Sequence, residues 1–159
     1  MKITYLHGLE STQGGPKVQY LLDQGHEVYA PALPYKTDPQ LFAKTLAELR
    51  DFQPDYIIGS SMGGYFAYYL CRLLDCKGIL LNPALQQRSF EMAVDDSGSY
   101  TPDLAVYLGK QDELIPPADT ERFLKKNYKG FVVVVQREYG HRTPYEQFVK
   151  IVDGLGWLA

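Results

Sequence analysis

The segment Tyr56-Ile57-Ile58-Gly59-Ser60-Ser61-Met62-Gly63-Gly64 passes from an apolar run through Gly-x-Ser-x-Gly into a helix-compatible stretch. A serine in that pattern can attack only if the chain turns sharply at the end of a strand and holds the residue at positive φ with its hydroxyl projecting. Side chains at Gly59 or Gly63 would collide across such a turn, which accounts for both glycines. By composition the pattern arises by chance in roughly one chain in twenty of this length, so position has to carry the argument. The β-type run Asp55 to Ile58 precedes it, and the spacing Ala67, Leu70, Cys71, Leu74 follows it as one helical face. Strand, elbow and helix are then in order, and Ser61 is the candidate nucleophile.

A serine hydroxyl needs a general base, and the base needs a group that orients it. The histidines are His7, His26 and His141. His26, in Gln24-Gly25-His26-Glu27, reads as a solvated turn residue. His141, in Glu138-Tyr139-Gly140-His141-Arg142, follows the last predicted strand, on the sheet edge where carboxyl-end loops gather. It is the candidate base. The acid is expected between serine and histidine in the chain. Asp112 fits best, three residues beyond the run Leu104 to Gly109; Glu113 and Glu138 are alternatives, although Glu138 leaves the polar turn at Asp112 without a role. An oxyanion requires two preorganised N–H donors, each worth roughly 2.7 to 4 kcal/mol in the transition state. The backbone N–H of Met62 is one, and that of Leu9, in Leu6-His7-Gly8-Leu9-Glu10, is the other, with Gly8 permitting the tight path and His7 structural. Gly14-Gly15-Pro16-Lys17 is glycine-rich but lacks phosphate-loop spacing, and Pro16 removes an N–H that an anion would need.

These residues need a scaffold that displays loops along one edge. Strand-like runs cover Ile3 to His7, Glu27 to Ala30, Asp55 to Gly59, Gly78 to Asn82, Leu104 to Gly109 and Phe131 to Gln136. Their near-continuous apolar character suits strands buried on both faces. Helical patterns cover Pro16 to Asp23, Pro39 to Phe52, Met62 to Leu74, Pro117 to Asn127 and Pro144 to Leu155, several opened by prolines that a first turn tolerates. Alternation of the two implies an α/β fold with a six-stranded, mainly parallel sheet, helices on both faces and no large lid domain. Residues 83–101 are polar and weakly periodic, and are expected to be mobile or to cover the substrate. Within them Phe90, Met92 and Tyr100, together with Tyr35, are candidate acyl or alcohol contacts.

The 159 residues, 45% hydrophobic and 22% charged, suit a single globular domain over 1–159. A net charge of −3 with scattered basic residues speaks against nucleic acid as a partner. No apolar run reaches the roughly 18 residues of a membrane span, and the interrupted N-terminal stretch does not read as a signal peptide, so a cytoplasmic location is expected. Cys71 and Cys76, without CxxC or metal spacing, read as buried free thiols. Neither cofactor nor metal is called for, and the oligomeric state is open.

Tyr5-Leu6-His7-Gly8, Ile58-Gly59-Ser60-Ser61-Met62-Gly63-Gly64-Tyr65, Leu80-Leu81-Asn82-Pro83-Ala84, Gly109-Lys110-Gln111-Asp112-Glu113 and Tyr139-Gly140-His141, in that order, resemble the short YqiA-like esterases of the α/β-hydrolase superfamily. The resemblance spans essentially the whole chain. It implies a compact α/β hydrolase without the first two strands of larger relatives, acting as an esterase or thioesterase on small-to-medium acyl groups. Position by position it makes Ser61 the nucleophile, Asp112 the acid, His141 the base, and Leu9 and Met62 the oxyanion donors. The chain departs from the family in reading Leu9-Glu10-Ser11-Thr12 after His7-Gly8, which sets the Glu10 carboxylate beside the oxyanion loop, where it either repels anionic substrates or points to solvent. The expected function is thus cleavage of a small-molecule ester or thioester through an acyl-enzyme. The alternatives are a ligand- or protein-binding module on the same fold, or an acyltransferase using the same three residues.

Overall fold

The computed structural model describes residues 1–155. In chain order the elements are β1 (Lys2–Leu6), α1 (Pro16–Asp23), β2 (Glu27–Tyr29), α2 (Leu41–Phe52), β3 (Tyr56–Ser60), α3 (Met62–Leu74), β4 (Lys77–Leu81), β5 (Leu104–Gly109), α4 (Pro117–Asn127), β6 (Val132–Arg137) and α5 (Tyr145–Asp153). All six strands pair in parallel, in the order β2-β1-β3-β4-β5-β6.

Strand alternation divides the core into two layers, because successive side chains point to opposite faces. Ile57 of β3 and Leu104, Val106 and Leu108 of β5 face α2, α3 and α4, where Leu46, Phe66 and Leu124 are buried. Tyr56 and Ile58 of β3 and Ala105 and Tyr107 of β5 face the other way, against Val18 and Leu21 of α1 and Phe148, Ile151 and Val152 of α5. Both faces of the central strands are covered, as their apolar runs require.

Helix boundaries follow local chemistry. Pro16 and Pro117 occupy the first turns of α1 and α4, and Gly25, at φ +80°, ends the first helix by donating to Leu22 O. Helix α2 starts at Leu41 rather than at Pro39: Asp38 Oδ1 accepts the Gln40 N–H and closes a turn over the intervening residues. Pro144 is the residue before α5 rather than within it.

The segment 83–101 holds no helix or strand but is packed down along α3. Leu85 and Met92 are buried in the core, and a Cβ on Gly98 would lie 2.7 Å from the Arg72 carbonyl. Arg88 donates to Ala84 O and Leu85 O, and its guanidinium lies 4.0 Å from the centre of the Tyr65 ring. Cys71 and Cys76 are buried and free, and burial pushes the Cys71 thiol up. Among the described residues no helix is long and apolar enough to cross a membrane.

Candidate active site

The strand order reverses direction between β1 and β3, and the chain leaves β1 for α1 on one face of the sheet and β3 for α3 on the other. A crevice opens at such a switch point beyond the carboxyl ends of the strands. Ser61 stands there, between β3 and α3, at φ 54° and ψ −113°. Non-glycine residues rarely adopt that backbone, and here the surroundings enforce it: a Cβ on Gly59 would lie 2.2 Å from Gly63 O, and one on Gly63 only 2.0 Å from Leu6 O. Strand, turn and helix are pressed together with no room for side chains at either glycine.

Two other strand ends deliver the remaining side chains. Asp112, in the loop after β5, has a fully buried carboxylate whose Oδ1 accepts the N–H groups of Leu114 and Ile115 at 3.0 and 2.9 Å. Its Oδ2 lies 2.9 Å from His141 Nδ1, in the loop after β6, and His141 Nε2 lies 2.9 Å from Ser61 Oγ. An ionised carboxylate only accepts, so Nδ1 carries the proton and Nε2 is free to accept the serine's. A hydroxyl held in this way can surrender its proton as it attacks. The other candidate acids are elsewhere: Glu113 is exposed, while Glu138 binds Lys110 and Gln111, bonds that hold its carboxyl below the usual range.

The loop after β1 lies against the serine. A Cβ on Gly8 would touch Ser61 Cβ at 3.4 Å, and Leu9 lines the same space as Ser61, Met62 and His141. Met62 opens α3, so its N–H has no acceptor within the helix and adds to the positive end of the helix dipole. His7 is buried and holds the loop: Nε2 accepts the Leu33 N–H at 3.1 Å, which puts the proton on Nδ1 for donation to Gly8 O at 2.8 Å.

Cavities of about 220 and 200 Å³ flank the Ser61–His141 pair. The first is lined by the apolar Leu9, Met62, Ala84, Leu114 and Ile115 together with Gln87 and Arg88. The second is the more polar of the two and includes Glu10, Ser11 and Arg142 beside Leu9 and Leu114. Glu10 is largely exposed and pairs with Lys36 at 3.2 Å.

The other expected contacts fall outside this space. Tyr35 is 2% exposed and donates to His7 O at 2.5 Å, bracing the loop after β1 from inside the core; burial holds its hydroxyl protonated. Met92, 7% exposed, is a core residue. Phe90 packs against the core edge, and Tyr100, 53% exposed, bonds through its N–H to Arg72 O at the far end of α3 from Ser61. Aromatic and thioether side chains in an aperiodic segment are drawn to the nearest apolar surface, here the flank of α3. The residues that line the first cavity instead are Gln87, Arg88, Leu114 and Ile115, which carry no periodic or motif signal. Lys17, at the end of the glycine-rich stretch, donates to Thr143 O at 2.7 Å and ties α1 to the His141 loop, a role in the fold.

Several solved structures share the architecture. A protein assigned to the alpha/beta superfamily of hydrolases, from Xanthomonas campestris pv. campestris, is 20% identical at TM-score 0.72, over 97% of this chain and 99% of its own. Est1E from Butyrivibrio proteoclasticus with bound ferulic acid is 15% identical at TM-score 0.72, over 99% and 87% of the two chains. A monoacylglycerol lipase from Paleococcus ferrophilus is 13% identical at TM-score 0.71, over 99% and 93%. At these identities the likeness is one of fold, and the fold is that of a compact α/β hydrolase. The sequence itself matches the model of the Uncharacterised protein family (UPF0227) over residues 2–147, and the chain belongs to that family.

Proposed function

We propose that this protein is a serine hydrolase that cleaves carboxylic esters or acyl thioesters with small-to-medium acyl groups. The observation that carries the reading is the pair of 2.9 Å hydrogen bonds linking Ser61, His141 and Asp112, with the serine on a strained turn. Fold relatives that include a ferulate-binding Est1E and a monoacylglycerol lipase support the ester class.

Ser61 Oγ attacks the carbonyl carbon while its proton passes to His141 Nε2, and the resulting oxyanion is held by the N–H groups of Leu9 and Met62. Collapse breaks the bond to the alcohol or thiol, which takes the proton from Nε2. Water, deprotonated by the same nitrogen, then attacks the acyl-enzyme and frees the carboxylic acid and Ser61. Asp112 keeps the imidazole in its Nδ1–H tautomer throughout. Labelling of the wild-type protein by a fluorophosphonate probe, absent in Ser61→Ala, is the direct test; an unlabelled wild type would leave the fold as a binding module. Products formed with and without added alcohol separate hydrolysis from acyl transfer.

Two further outcomes are expected. A water-sized group takes up about 30 Å³, so the 220 Å³ apolar lobe holds about seven of them. With the carbonyl carbon at Ser61 counted outside the lobe, kcat/KM across p-nitrophenyl esters and acyl-CoA thioesters should therefore peak at or below about eight acyl carbons by this volume estimate; a steep rise beyond that length would contradict the assignment of the lobe. Asp112→Asn should lower kcat roughly 10⁴-fold while the protein remains folded. The amide oxygen can still accept from Leu114 and Ile115, but its NH2 group faces Nδ1 and turns the imidazole to the wrong tautomer. Steady-state kinetics beside a thermal melt would read both properties.

A further inference from the structure

We infer that Asn82 is a positioning residue that clamps the His141 and Asp112 loops into one unit; the inference rests on the proposed hydrolase reading. Asn82 follows β4 directly, is 1% exposed and sits at φ 43°. Its Nδ2 donates to His141 O at 2.6 Å and its Oδ1 accepts the Gly109 N–H at 2.7 Å. Gly109 O in turn accepts the Asp112 N–H at 3.1 Å, and Asp112 Oδ2 accepts from His141 Nδ1. These four bonds close a ring, Asn82 to Gly109 to Asp112 to His141 and back to Asn82. The same corner reaches the serine: Ser61 N–H donates to Leu81 O and Ala84 N–H donates to Ser61 O, both at 3.0 Å.

The ring demands a carboxamide. One partner is a backbone N–H and the other a backbone carbonyl, so the side chain must accept at one end and donate at the other, and among short side chains that tolerate this backbone only asparagine does both. Aspartate would keep the bond to Gly109 and lose the one to His141. Glycine would keep the backbone conformation and lose both. Without the bond to its carbonyl, His141 itself is held to the site through the imidazole that must exchange protons with Ser61, while its loop keeps the neighbouring bonds from Gln111 N–H to Tyr139 O and from Lys17 Nζ to Thr143 O. A histidine displaced by a fraction of an ångström still binds substrate in the flanking cavities but transfers the proton less well.

Asn82→Asp and Asn82→Gly should therefore each lower kcat for p-nitrophenyl butyrate roughly 10- to 100-fold with KM nearly unchanged, and slow fluorophosphonate labelling by the same factor. In a His141→Ala background Asn82→Gly should cause no further loss of labelling, because the residue acts through that histidine. Circular dichroism identifies a variant that does not fold. Folded variants with wild-type kcat, or an undiminished effect in the His141→Ala background, would overturn the inference, and so would failure of both variants to fold, which would assign Asn82 to stability alone. A wild-type protein that the probe does not label would instead remove the hydrolase reading, and this inference with it.

Discussion

Ser61→Ala should reduce kcat for a short-chain p-nitrophenyl ester by about 10⁵- to 10⁶-fold, and His141→Ala by a similar factor, while the double variant should be no slower than either alone. The non-additivity is the informative part. In the proposed mechanism nucleophile and base act in one step, the serine losing its proton across the 2.9 Å bond to Nε2 as it attacks, so removing either group removes the step. Residual catalysis of about 10³- to 10⁴-fold over water should survive in all three variants, since the N–H groups of Leu9 and Met62 do not depend on the lost side chains. The substitutions are also mild for the fold: among the described residues Ser61 Oγ hydrogen-bonds only to His141, and its own N–H and carbonyl are held by backbone partners, Leu81 O and the N–H groups of Tyr65 and Ala84. Steady-state hydrolysis with active-site titration measures the rates, and a thermal melt confirms that each variant is folded. Multiplicative losses in the double variant would mean that the two side chains contribute separately and that His141 is not the base for Ser61.

The sequence announced the sheet and the convergence of Ser61, Asp112 and His141 more fully than it announced the rest of the crevice, and the reason is physical. Each of the three sits just beyond an apolar run that reads as a strand, and a parallel sheet gathers all such ends on one edge. The bounds of α1, α3, α4 and β5 were equally legible, because proline or an abrupt loss of apolar residues marks them. Asn82 gave no such signal. It reads as the last residue of the strand-like run Gly78 to Asn82, and nothing local reveals that its amide spans two loops 27 and 59 residues away. Tyr35 and Met92 failed in the opposite sense: without periodicity, whether a large side chain reaches the core or the cavity is decided by packing against α3 and the β1 loop, which sequence spacing does not encode.

Gly63→Ala should strongly destabilise the fold. The added Cβ would lie 2.0 Å from Leu6 O, 2.6 Å from Leu6 C and 2.8 Å from His7 O. All three are backbone atoms at the end of β1, a strand paired on both sides, so nothing flexible can yield. Either α3 moves away from the sheet or β1 leaves its register, and both open the layer in which Leu6, Met62 and Phe66 are buried. A loss exceeding about 4 kcal/mol is expected, set against a total stability of about 5–15 kcal/mol for a domain of this kind. Gly140→Ala provides the contrast within the same site: the nearest atom to its Cβ is Gln111 O at 3.9 Å, so its effect should stay within about 1 kcal/mol, of either sign. Denaturant titration of both variants makes the comparison, and similar midpoints would show that α3 does not need its close approach to β1. That approach has a second consequence. It holds the head of α3, where Met62 lies, against the loop after β1 that carries Leu9; if these two supply the oxyanion donors, as proposed, any Gly63→Ala protein that does fold should lose oxyanion stabilisation as well, with kcat falling by up to 10²- to 10³-fold as when a single donor is misplaced. In the proposed mechanism stability and rate are thus tied to one contact between a glycine and a strand end: the steric limit that keeps α3 close to β1 is also what would bring the two donors to the same oxygen.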